Sequence, residues 1–133
     1  MKKSQAGIEY IILIGMLLIF LIPVIHYALT ESTLNVRLNQ LENSFRRVAK
    51  AVNTVYAIGP GAQEIIVITL PQGIEGTAVE GQGIYANASL FGGISSIHYA
   101  TQPTVAGVLP KDPGTYHLLV KTLDNDTVDV RLR

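Results

Sequence analysis

The apolar positions of this chain fall into three successive patterns. From Ile11 to Ile25 there is no charged or strongly polar side chain. At about 1.5 Å per helical residue that run spans roughly 22 Å, and adding Ile8 to Tyr10 and His26 to Leu29 completes a crossing of a ~30 Å hydrocarbon core. Beyond it, Leu34, Leu38, Leu41, Phe45, Val48, Val52 and Val55 recur at alternating spacings of four and three, a heptad seam. No glycine or proline interrupts the chain between Val24 and Ile58, and Gly59-Pro60-Gly61 is a firm stop. The pattern predicts one helix from about Ala6 to Ala57, apolar in its first half and amphipathic in its second. Pro23, which lacks the amide donor and crowds the preceding turn, is expected to kink or locally melt it.

After Gln63 the period shortens to two. Residues 64–70 form a run rich in β-branched residues, closed by Pro71-Gln72-Gly73. Residues 74–79, 84–90 and 95–101 read as further strands punctuated by Gly81, Gly83, Gly92 and Gly93, with a weaker one at 105–109. Residues 116–123 and 127–132 flank Asp124-Asn125-Asp126, and Val128, Val130 and Leu132 alternate with Asp129 and Arg131. That is a hairpin with one face buried. The expected fold class is α+β: a long amino-terminal helix, then five to seven short antiparallel strands as a small sandwich or as one sheet wrapping the helix.

Two stripe partners are open for the seam. It packs on the chain's own β domain, or it faces neighbouring copies; we expect the carboxyl-terminal turns to do the first and the amino-terminal turns the second.

The 133 residues amount to one domain's worth of material, part of it spent on the apolar helix. Cysteine is absent, which removes disulfides, thiolate metal sites and cysteine nucleophiles together. Packing into an oligomer is another source of stability for so small a head. The formal charge of zero is unevenly spread: Lys2 and Lys3 lead, Glu31 to Lys50 holds four basic and two acidic residues, and the part after Gly59 holds four basic and seven acidic. A head near −3 argues against a nucleic-acid partner. Lysines ahead of the apolar run place that end in the cytoplasm and the head outside. A conventional secretory signal would close on a small-residue cleavage site, and His26-Tyr27-Ala28-Leu29-Thr30 is a poor one.

Within the apolar segment stands one carboxylate, Glu9. A charge inside hydrocarbon costs a few kcal/mol or more unless a partner is supplied, so it is a candidate functional residue. Met1-Lys2-Lys3-Ser4, then Gln5-Ala6-Gly7-Ile8-Glu9-Tyr10, then the apolar run, resembles the class III signal peptide of archaeal type IV pilins. In that family a short basic leader is cut before a glutamine, and a glutamate stands fifth in the mature chain. The resemblance implies cleavage between Ser4 and Gln5 by a prepilin peptidase, which puts Glu9 fifth, and a bend at Pro23. It also implies assembly by a platform and ATPase machinery into a filament of many copies of the chain, with the precursor held in the membrane. The archaellin branch usually begins Gly-Ile-Gly, and Gln5-Ala6-Gly7-Ile8-Glu9-Tyr10 departs from that, so an adhesion-type pilin is the nearer match. The implied organisation is a leader over 1–4, a membrane and filament-core helix over 5–29, an amphipathic continuation over 30–58 and an extracellular β-rich head over 59–133. Glu9 is expected to pair with the α-amino group of Gln5 of a neighbouring copy.

Sites of chemistry are sparse. His26, His98 and His117 read as surface or packing histidines, and Ser95 and Ser96 lack a nucleophile-elbow context. Asp124, Asn125, Asp126 and Asp129 cluster oxygens, but the glycine and distant glutamate of an EF-hand are missing, and a polar turn is the preferred reading. Neither enzymatic activity, metal nor cofactor is expected. Asn87-Ala88-Ser89 and Asn125-Asp126-Thr127 are acceptor sequons for N-glycosylation at Asn87 and Asn125. The competing class of function is a single-pass, membrane-anchored binding module that does not polymerise; a tethered enzyme is a third.

Overall fold

The structure, a computed structural model, describes residues 2–90, 92–124 and 126–133. The chain is α+β. Helix α1 runs Lys2–Ile58 and is followed by seven strands: β1 (Gln63–Leu70), β2 (Ile74–Glu80), β3 (Gly83–Leu90), β4 (Gly93–Ala100), β5 (Thr104–Gly107), β6 (Gly114–Asp124) and β7 (Thr127–Leu132). It divides into two compact units, Met1–Asn35 and Val36–Arg133.

Helix α1 begins at Lys2, four residues ahead of the expected Ala6, and continues through Pro23. The expected local melting at Pro23 therefore does not occur. The Ile19 carbonyl still loses its donor four residues on, which is the usual cause of a bend at such a site. The helix stops where the sequence changes: the Gly59 amide closes the last turn on the Val55 carbonyl at 3.2 Å, with Gly59 at φ +115°. That backbone is open to glycine and strained for other residues. The chain then ties straight into the head, with the Gly61 amide on the Thr122 carbonyl and the Thr122 amide on the Ala62 carbonyl at 2.9 Å.

In the second unit the strands form two sheets, in the orders β1-β6-β7-β5 and β2-β3-β4. All pairings are antiparallel except β5 with β7, which is parallel, Val105 lying opposite Val128 and Gly107 opposite Val130. This departs from the all-antiparallel expectation. The cause is local: Pro110 to Pro113 carry the chain away after β5, so it does not return as a hairpin, and β5 docks instead on the far edge of β7. The two sheets meet around β5, where the Val105 amide bonds the Gly81 carbonyl at 2.8 Å and Thr77 Oγ1 donates to the Leu109 carbonyl at 2.9 Å.

Alternation decides what is inside. Ile68 and Leu70, Leu118 and Val120, Val128 and Val130, and Ile84, Ala86 and Ala88 are buried on their strands. Residues between them, such as Thr69, Tyr85 and Asn87, face outward. Leu132, expected on the buried face of the terminal hairpin, lies at the strand end and is half exposed. The helix contributes Leu41, Phe45, Val48, Val52 and Val55, each at most 2% exposed, with Ala49 and Ala51 beside them. Helix and sheet are joined by polar contacts as well. Strand β1 pairs only with β6, and on its open edge Ser44 Oγ donates to the Thr69 carbonyl at 2.6 Å and Arg47 Nη1 reaches the Val67 carbonyl at 3.5 Å. Farther along, the Gln102 amide donates to Asn53 Oδ1 at 2.9 Å. Helical side chains thus cover an edge that would otherwise be free to pair with another strand.

Candidate assembly helix

The first unit is a helix with no polar face over its apolar span. Ile11 is 71% exposed, Phe20 70% and Ile25 49%, and the large apolar residues between them are likewise exposed on every side of the helix. Burying one such side chain is worth about 1.5–3 kcal/mol. Even ten of them amount to roughly 15–30 kcal/mol, more than the ~5–15 kcal/mol that holds a whole domain folded. Such a segment is long and apolar enough to cross a membrane. At its carboxyl-terminal end two threonine hydroxyls bond back to the helix, Thr30 Oγ1 donating to the His26 carbonyl and Thr33 Oγ1 to the Leu29 carbonyl, both at 2.9 Å.

At the other end lies Glu9, exposed, one helical turn beyond Gln5. Among the described residues the one ion pair is Arg131 with Asp129, at 2.6 Å, and none of their cations pairs with the Glu9 carboxylate. The Ser4–Gln5 bond lies within α1. The first turn of that helix has no acidic residue and carries Lys2 and Lys3, whose charge opposes the positive end of the helix dipole. That turn is electrostatically unfavourable. A chain beginning at Gln5 would lose both lysines, and Glu9 would then stand about one turn from its positively charged amino terminus.

The heptad seam is divided. Leu34 and Leu38 are half-buried, while Leu41, Phe45, Val48, Val52 and Val55 are spent in the core of the second unit. Those last five are not available to a neighbouring molecule. The amphipathic part of the helix leaves polar residues outward, among them Asn43, Arg46, Arg47 and Lys50, and Arg47 and Lys50 line a groove of about 280 Å³ together with Thr54, Glu64 and Val67.

Elsewhere, His26 is exposed on the helix, His117 is exposed on β6, and His98 stacks on Tyr85 with ring centres 4.5 Å apart. Among the described residues no group of three His, Asp or Glu side chains is placed to hold a metal ion. Asn125 lies outside the described residues. Asn87 is exposed at the middle of β3, and its Oδ1 accepts from Ser96 Oγ at 2.8 Å. The Tyr85–His98 stack and the Asn87–Ser96 bond were not anticipated from the sequence. The alternation of Tyr85, Asn87 and Ser89 with the buried Ile84, Ala86 and Ala88 was a signal for the shared outer face, but the cross-strand partners depend on register.

Comparison with protein-family models, with characterised proteins and with solved structures returns no match for this chain.

Proposed function

We propose that this chain is the structural subunit of a type IV-like pilus, a pilin of the archaeal adhesion type, and that its work is assembly and surface attachment rather than catalysis. The observation that carries this reading is the Glu9 carboxylate, without an ion-pair partner among the described residues, at the head of an apolar helix that is exposed on all sides. A plain membrane anchor has no use for that carboxylate.

In the proposed pathway the precursor sits in the membrane with Lys2 and Lys3 in the cytoplasm and the β head outside. A prepilin peptidase reaches the Ser4–Gln5 bond after the lysine-bearing first turn unwinds, and removes residues 1–4. The new α-ammonium of Gln5 is then a cation of the right sign for Glu9 of an adjacent copy. In the filament core that pair is shielded from water, and the apolar helix surface passes from lipid to helix–helix contact. The head, with its excess of acidic residues, coats the outside.

The burial of Leu41 to Val55 against the head favours a second reading, in which the helix is only the stalk of a monomeric membrane-anchored binding module. The mature amino terminus separates the two. Mass spectrometry of membrane and sheared-filament fractions from the native host is expected to find a chain that starts at Gln5 and is enriched in filaments. An uncut terminus confined to the membrane would leave the stalked module in its place.

A further inference from the structure

We propose that Asn87 carries an N-linked glycan whose first sugar seats beside Tyr85 on the outer face of the β2-β3-β4 sheet. The inference rests on the reading above only in requiring the head to lie outside the membrane.

Three features of the face support it. The sequon's spacing of two matches the strand period, so Asn87 and Ser89 are both exposed on one side of β3. That is the relation in which the hydroxyl and the acceptor amide belong to one recognition surface. Next, Ser96 Oγ on β4 holds Asn87 Oδ1, so Nδ2, the atom that would be modified, is the arm of the amide turned away from β4. On the other side of β3, the register partner of Asn87 is Gly76 and that of Tyr85 is Ala78. With almost no side chain on β2 there, a notch of about 120 Å³ opens, lined by Gly76, Thr77, Ala78, Tyr85 and Asn87.

The third feature is the wall of that notch. Tyr85 is 40% exposed, two residues before Asn87 on the same face, and its ring is braced by His98 at an interplanar angle of 21°. Gly83 makes room for the brace, since a Cβ there would lie 2.6 Å from His98 Nε2. A fixed aromatic ring with one side open offers the axial C–H bonds of a pyranose an apolar, electron-rich surface.

The transfer is a substitution at the anomeric carbon of a polyprenyl phosphate- or diphosphate-linked glycan, supplied by a membrane-bound oligosaccharyltransferase. The Asn87 Nδ2–C1 bond forms, the C1–O bond to phosphate breaks, the lipid phosphate leaves with the electron pair, and Nδ2 gives up one proton to a base of the transferase. Because β3 is paired on both sides, its backbone reaches the transferase before β4 closes on it.

The test is mass spectrometry of the peptide spanning Asn87 in the full-length chain from its native host, with protease treatment of intact cells run in parallel. The expected result is a saccharide adduct on Asn87 that disappears in both Asn87→Gln and Ser89→Ala. A bare Asn87 on a head that external protease digests would overturn the inference while leaving the pilin reading intact; a head protected from protease would defeat both. Sugar that is released on denaturation would place a free saccharide on this face and overturn the covalent assignment. For the seat, the modified chain in detergent is expected to melt about 4–8 °C above Asn87→Gln. In a Tyr85→Val background, which should still be modified, that difference is expected to vanish, and a difference that persists would remove Tyr85 from the site.

Discussion

Gly107 and Val130 are register partners in the one parallel pairing of the fold, and they lie so close that a Cβ on Gly107 would overlap the Val130 carbonyl oxygen. Gly107 also has φ +122°, where other residues are strained. Both effects act on the strand that bridges the two sheets. Gly107→Ala is therefore expected to destabilise the head by at least about 2 kcal/mol, the sum of a strained backbone and an overfilled contact. Thermal unfolding of the full chain in detergent, followed by the β-sheet circular dichroism signal, checks this. A melting temperature within a degree of the parent would mean that β5 does not pair with β7 in this register.

Thr122 carries the opposite expectation. Its Oγ1 is buried without a hydrogen-bond partner, while its backbone amide and carbonyl are both engaged near the end of the helix. Thr122→Val keeps the shape and the backbone bonds and removes the lone polar atom, so it is expected to stabilise the head by about 1 kcal/mol. The denaturant midpoint should rise with the slope unchanged. A drop would mean that the hydroxyl has a partner.

The contact of Ser44 with the β1 edge should also register in stability. Ser44→Ala removes the 2.6 Å bond and leaves the Thr69 carbonyl without its donor. The expected cost is about 1–2 kcal/mol. Amide exchange should rise first in the turns around Ser44. Exchange unchanged there would show that apolar packing alone holds the helix to β1.

How much of this was legible beforehand can be argued residue by residue. The β-branched run Ile65-Ile66-Val67-Ile68 and the glycine and proline breaks placed the strands to within a residue or two, because local backbone preference and alternation are local properties. The seam from Leu41 to Val55 gave the buried face of the helix for the same reason. Partners were not legible. Period-two alternation says that Val105 and Val128 both face inward, but not that they lie opposite each other in parallel. The three-stranded sheet is built from consecutive strands joined by short turns, but the four-stranded one needs β1 beside β6 and β5 beside β7, contacts far apart in sequence. At the assembly helix, composition alone gave the apolar segment and its stray carboxylate. The unfavourable charge of the first turn became an argument only once the helix was seen to start at Lys2.

That carboxylate supports the sharpest functional prediction. If Glu9 pairs with the Gln5 ammonium of a neighbour, Glu9→Ala leaves an uncompensated ammonium in the filament core, at a cost of about 3–5 kcal/mol per subunit interface. Glu9→Gln keeps shape and hydrogen bonding but not charge, and is expected to fall between Ala and the parent. Membrane insertion should be unchanged in both, because removing a charge from an apolar segment does not hinder entry into lipid. The measurement is a pair of readings on each variant in the host: the amount of processed chain in the membrane and the amount in sheared filaments. Loss from filaments with normal membrane levels is the expected pattern. Equal filament yield from Glu9→Ala would take Glu9 out of assembly and leave its place in the apolar helix without a function.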